Sequence, residues 1–160
     1  MRLSLGLSAL LAAPLLLLSG VQASAADHAA KWAAEAASST DGIINVDTAG
    51  YDAILQGDPD EGRTYGVTVV LTALPEQYKC TPCHEFAPVY HRVADSWSRV
   101  TPKATRDKHF FVSLDFSAGQ GIFQRLGLSS APTVYYYPPT AGPRAKNGDT
   151  APQHYDLNRA

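Results

Sequence analysis

The sequence predicts an α/β domain, a sheet with helices packed over it. Runs of β-branched and aromatic residues recur at Ile43–Val46, 66–73, 110–116 and Thr133–Tyr137, and helical patterns separate them. The longest such pattern places Phe86, Val89, Tyr90, Val93, Ala94, Trp97 and Val100 at the spacings of one helix face. Hydrophobic residues make up 45% of the 160 residues and charged ones 18%, which suits one buried core and not two.

Each element follows from its own residues. Arg2, an apolar run over residues 3–18 and the exit Ala23-Ser24-Ala25 read as a secretory signal peptide cleaved after Ala25. A membrane-spanning helix needs about 20 apolar residues, which this run and its flanks do not supply. The expected organisation is a signal peptide over 1–25, a helical lead-in over 26–41 and one domain over 42–160. Alanines with Trp32 and Glu35 favour a helix over 27–37, stopped by Ser38-Ser39-Thr40-Asp41-Gly42. After the strand Ile43–Val46, Asp47 or Thr48 caps a short helix through Leu55, and a Gly/Asp/Pro turn over 57–62 ends it.

Residues 66–73 are almost continuously apolar, the pattern of a central strand covered on both faces. The long helix that follows contains Pro88, whose ring and missing N–H predict a kink, and Thr101-Pro102 closes it. A strand over 110–116, a short helix marked by Ile122, Phe123 and Leu126, and the strand Thr133–Tyr137 complete the alternation. Residues 140–152 read as loop, and no internal repeat is present.

Charge narrows the function classes. Lys+Arg 13 against Asp+Glu 15 gives net −2, with no basic stripe for nucleic acid or another polyanion. Two cysteines exclude a disulfide-dense miniprotein and a four-cysteine zinc site, and neither a metal nor a cofactor is expected.

Those two cysteines form Cys80-Thr81-Pro82-Cys83, after a buried-type strand and at the start of the long helix. Free N–H groups and the dipole at a helix N-terminus favour thiolate over thiol. Cys80, outside the first turn, is the expected nucleophile. Cys83, turned inward, is placed to resolve a mixed disulfide. Pro82 suits the first turn, where its missing N–H is not needed. Two other readings exist. With His84 the motif is also Cys-x-x-Cys-His, the pattern of covalent haem attachment. That reading needs a second axial ligand from His91, His109 or His154, and the α/β order leaves a haem little room. A purely structural disulfide is the other, but so small a loop removes little unfolded-state entropy.

Cys80 and Cys83, the helix proline Pro88 and the segment Gly127-Leu128-Ser129-Ser130-Ala131-Pro132-Thr133 together resemble thioredoxin-like domains. More narrowly, Val69-Val70-Leu71-Thr72-Ala73-Leu74, Cys83-His84-Glu85-Phe86-Ala87-Pro88, Trp97, Asp115-Phe116-Ser117, Phe123-Gln124-Arg125-Leu126-Gly127-Leu128 and Pro138-Pro139-Thr140 are similar to the thioredoxin-like (gamma) subunits of the oligosaccharyltransferase complex. The similarity runs from about Gly42 to Thr140.

The resemblance implies a thioredoxin-like fold, a central mixed sheet flanked by helices, with a cis bond before Pro132 facing the cysteines. It implies Cys80 and Cys83 as the redox pair, with Thr81, Pro82, Ala131, Pro132 and Thr133 beside it as peptide-binding residues. The implied place is the lumenal side of the endoplasmic reticulum membrane. The implied partners are the other complex subunits and nascent secretory polypeptides held by mixed disulfide, so that N-glycosylation has longer to act. Such a subunit is not itself the glycosyltransferase.

Free lumenal oxidoreductase and non-catalytic peptide-binding module, the latter using Tyr135, Tyr136 and Tyr137, stand as alternatives. Packing is the favoured role for those tyrosines. Departures from the family pattern bear on the chemistry. Val70 stands where thioredoxins carry a buried acid, and residues 74–79 form an extended loop before Cys80. Both point to a slow, trapping partner. The last helix of the fold and the family's transmembrane helices are expected to be missing, as in a truncated chain; membrane association would come only through those helices.

Overall fold

A computed structural model describes residues 24–145 and 150–157. The signal-peptide reading falls on residues outside that range, apart from Ser24 and Ala25. Those two open α1 (Ala25–Ser38), where Ser24 and Asp27 form a reciprocal capping box. β1 (Ile43–Val46), α2 (Thr48–Gln56) and β2 (Gly66–Thr72) follow, with Asp47 capping α2 through the Gly50 N–H at 2.8 Å. Next come α3 (Thr81–Val100), the short α4 (Lys103–Arg106), β3 (His109–Asp115), α5 (Phe116–Arg125), β4 (Thr133–Tyr137) and β5 (Gln153–Asp156).

The five strands form one sheet in the order β1-β3-β2-β4-β5. β1, β3 and β2 run parallel, while β4 is antiparallel to both β2 and β5. This is the expected central mixed sheet flanked by helices. Strand alternation divides the core between its faces. Val67, Val69 and Leu71 of β2 join Val112 and Leu114 of β3 under α1, α2 and α5, with Trp32, Ile54 and Ile122 from the helices. On the other face Ile43, Val70 and Phe111 pack against Tyr90 and Ala94 of α3. The Tyr90 hydroxyl, buried there, donates toward the Thr68 and Val112 carbonyls and accepts the Val112 N–H.

α3 is continuous from Thr81 to Val100, and Pro88 within it is exposed, so its missing hydrogen bond leaves a carbonyl that water can satisfy. One local expectation changes. α5 starts six residues before Ile122, because Asp115 caps it.

At the far end of the sheet Arg63 is 4% exposed, and burial lowers its affinity for the proton. Its guanidinium donates to the carbonyls of Tyr65, Leu55 and Pro138 at 3.0, 2.6 and 2.6 Å. The 57–62 turn and the chain after β4 are thereby tied to one side chain.

Candidate functional site

The sheet order places the cysteine pair. β2 is central, and the chain leaves its carboxyl end through residues 74–79 to enter α3, so the cysteines lie at the end of an α/β sheet where sites form. β4 runs antiparallel to β2 with Leu71 opposite Thr133. The residues before β4 therefore arrive beside the residues after β2.

Cys80 is the N-cap of α3 and half-buried, while Cys83 is 1% exposed. The two are joined as a disulfide with Cα atoms 5.2 Å apart. The Cys83 N–H donates to the Cys80 sulfur at 3.3 Å. When the pair is reduced, this donor and the helix dipole both favour a Cys80 thiolate. On its other side the Cys80 sulfur lies 3.5 Å from the Ala131 carbonyl oxygen, and the Ala131–Pro132 bond is cis. The carbonyl accepts from Cys80 as a thiol and faces bare sulfur in the disulfide.

The other expected site residues divide by exposure. Thr81 and Pro82 are exposed on the first turn, and Ala131 is half-buried beside Cys80. Pro132 and Thr133 are buried, and the Thr133 hydroxyl turns away to the Ser130 carbonyl at 3.3 Å. Its side chain supports the loop and does not line a surface. His84 is exposed on the first turn of α3. Tyr137 is in the core, Tyr135 stacks on Tyr137 and His154, and Tyr136 stacks on His109, so all three tyrosines pack within the sheet layer.

Several further residues shape the site. The 74–79 segment holds a 3-10 turn, Glu76–Tyr78, and ends at Lys79 with φ 47, the one non-glycine among the described residues in the left-handed region. This turn of the backbone delivers Cys80 to the cap position. Tyr78 packs edge-on against Phe116, with ring centroids 5.2 Å apart. Asp115, which reads as a strand-end residue, anchors the loop start and caps α5. Val70 is 5% exposed and packed among Ile43, Tyr90 and Phe111, so the strand beneath Cys83 offers no carboxylate there.

Comparison with known proteins follows the same lines. Residues 30–160 match the model of the OST3 / OST6 family, transporter family. The chain is 38% identical over 88 residues to the dolichyl-diphosphooligosaccharide--protein glycosyltransferase subunit MAGT1 of Xenopus laevis, covering 55% of this chain and 26% of that protein. The human MAGT1 subunit is 35% identical over 88 residues, with 55% and 25% covered. The chain thus spans about a quarter of the length of these curated relatives. Among solved structures, thioredoxin from Trypanosoma brucei brucei superposes with a TM-score of 0.49 at 15% identity, covering 74% of this chain and 81% of that one. Spinach chloroplast thioredoxin F gives 0.47 at 18%, covering 67% and 72%.

Proposed function

The chain belongs to the OST3 / OST6 family, and from that premise we propose that it is the redox domain of an accessory oligosaccharyltransferase subunit. In this reading Cys80 captures nascent polypeptides as transient mixed disulfides, and Cys83 releases them. The protein works on the lumenal side of the endoplasmic reticulum beside the other subunits of that complex. By delaying the folding of a tethered polypeptide it promotes N-glycosylation, and it does not transfer the sugar itself.

One observation carries the reading: the unequal exposure of the two sulfurs at a helix N-terminus. Cys80 is half-buried with a backbone N–H on its sulfur, and Cys83 is sealed behind it. An incoming polypeptide disulfide meets Cys80 first; only then does Cys83 reach the new bond from inside. A disulfide kept for stability alone has no need of this asymmetry. The Ala131 carbonyl, 3.5 Å from the Cys80 sulfur, lies where the extended backbone of a bound polypeptide can donate to it. Among the described residues no helix is long and apolar enough to cross a membrane.

Capture through Cys83→Ser tests this directly. The variant should accumulate mixed disulfides with secretory polypeptides in an oxidising lumenal extract, and Cys80→Ser should accumulate none. If Cys83→Ser captures no polypeptide, the trapping function is wrong.

A further inference from the structure

On the α3 side, the sheet changes character along its strands. Toward the amino ends the inward residues are Ile43, opposite Phe111, and in the same core cluster Val70, which lies one pair further on, opposite Ser113. Toward the carboxyl ends they become Asn45, Ser113 and Thr72, with Asn45 opposite Ser113 and Thr72 opposite Asp115. Cys83 sits above this polar end. A cavity of about 10 Å³ lies between them, lined by Cys83, Thr72 and Ser113, walled by Val70 and Phe86, and reaching His91. That volume holds about one water molecule. Thr72 is 4% exposed, and among the described residues neither its hydroxyl nor that of Ser113 has a protein hydrogen-bond partner.

Cys83 has a chemical problem that this cavity addresses. To attack a mixed disulfide it must lose its proton, yet it is 1% exposed and Val70 places no acid beneath it. The ionisable groups around it are committed elsewhere or lie outside. On α3, the Tyr90 hydroxyl is held by Thr68 and Val112, and His84 and Glu85 are exposed. On β3, the Asp115 carboxylate is bound by the Leu74 and Ser117 N–H groups. β2 contributes only Val70 and Thr72, and on the 74–79 segment Glu76 and Lys79 are exposed. His91 remains, exposed on α3 and paired with Asp41 at the start of β1.

We propose that the cavity is the proton exit of Cys83, in which one water molecule held by the Thr72 and Ser113 hydroxyls takes the thiol proton and passes it toward His91. This rests on the redox reading above. In the step itself the Cys83 S–H bond breaks and the proton leaves through the water. The Cys83 sulfur then bonds to the Cys80 sulfur, and the bond between Cys80 and the polypeptide breaks. The polypeptide leaves as a thiolate and takes a proton from solvent. One S–S bond is exchanged for another with no net gain or loss of electrons, so the step needs no further oxidant or reductant. Thr72 and Ser113 are positioning residues, acting through the water.

The test loads the protein at Cys80 with a fluorescent cysteine peptide and follows peptide release as a function of pH. In Thr72→Val/Ser113→Ala, the ratio of release rate to capture rate should fall about tenfold at neutral pH. The midpoint of the pH–rate profile should rise by about one unit, the shift that a tenfold loss of thiolate represents. Ser113→Ala alone, at a half-buried position, should move both quantities in the same direction if the double variant folds poorly. A wild-type ratio and midpoint in a folded variant overturn the proton exit while leaving the redox site standing. Failure of Cys83→Ser to capture the peptide at all overturns the redox reading and the proton exit with it.

Discussion

The carboxylate of Asp115 accepts the backbone N–H of Leu74 at 2.8 Å through one oxygen, and through the other the N–H of Ser117 at 2.9 Å. One side chain at the end of β3 thus fixes both the exit of β2 and the first turn of α5. The loop that carries Cys80 into place is pinned at its start by this carboxylate and again, at Tyr78, by the ring of Phe116.

Removal of that carboxylate should cost stability at two places at once. Asp115→Ala deletes a helix cap and leaves the Leu74 N–H without its acceptor, a loss of about 1–3 kcal/mol. Asp115→Asn keeps an oxygen for one of the two donors and should recover part of it. Urea unfolding of the oxidised protein checks both, with the Ala variant expected to show the lower midpoint at an unchanged slope.

Gly119 should tolerate no side chain. A Cβ there would lie 2.6 Å from both Cγ and Cδ1 of Leu114, which is fully buried at 0% exposure. Neither the strand nor the core can yield cheaply, so Gly119→Ala should destabilise by about 1–3 kcal/mol through overpacking. Gly121 has open space around its α-carbon, and Gly121→Ala in the same helix should be neutral or stabilising. The pair of thermal midpoints separates crowding from helix propensity.

Alkaline pH should unfold the protein through its buried tyrosines. Burial pushes the Tyr65 hydroxyl up to about 12, and burial likewise raises Tyr51, Tyr90 and Tyr137 above the ordinary tyrosine value. The Tyr51 and Tyr137 hydroxyls also share a hydrogen bond in the core. A raised folded value means that the native state holds its proton more tightly than the unfolded chain. The stability involved is complete below about pH 10 and is lost as pH climbs through that value toward the folded ones. Urea midpoints should fall steeply above about pH 10, and Tyr65→Phe should make the fall shallower.

Much of the architecture was legible because it depends on local pattern. β1 and β4 occupy Ile43–Val46 and Thr133–Tyr137 as expected, since β-branched and aromatic runs bounded by Gly and Pro leave little freedom of register. The sequence marks only the Ile122 end of α5, because Gly119 and Gly121 hide its helical pattern. The structure needs a glycine at position 119 for Leu114, a contact set by tertiary packing. A single turn over Lys103–Arg106 carries no periodicity, so α4 leaves no mark in the sequence.

The cysteine pair announced itself by spacing and by its place between strand and helix. Its surroundings did not. That Thr72 and Ser113 meet beneath Cys83 depends on β2 and β3 pairing in one register, with Val70 opposite Ser113, and on α3 lying across them. Nothing near those positions in the chain distinguishes a hydroxyl facing a cavity from one facing water. The side chain of Thr133, a residue that the resemblance places beside a bound peptide, is buried at the start of β4.

The contact between the Cys80 sulfur and the Ala131 carbonyl joins residues 51 positions apart. Because β4 docks on β2 only after β3 and α5 have been made, a chain growing from its amino end exposes both cysteines long before it can complete their surroundings. During that interval neither the Ala131 carbonyl nor β4 stands beside the pair. The contact between Cys80 and Ala131 is therefore assembled late in the protein's own synthesis, when β4 joins the sheet.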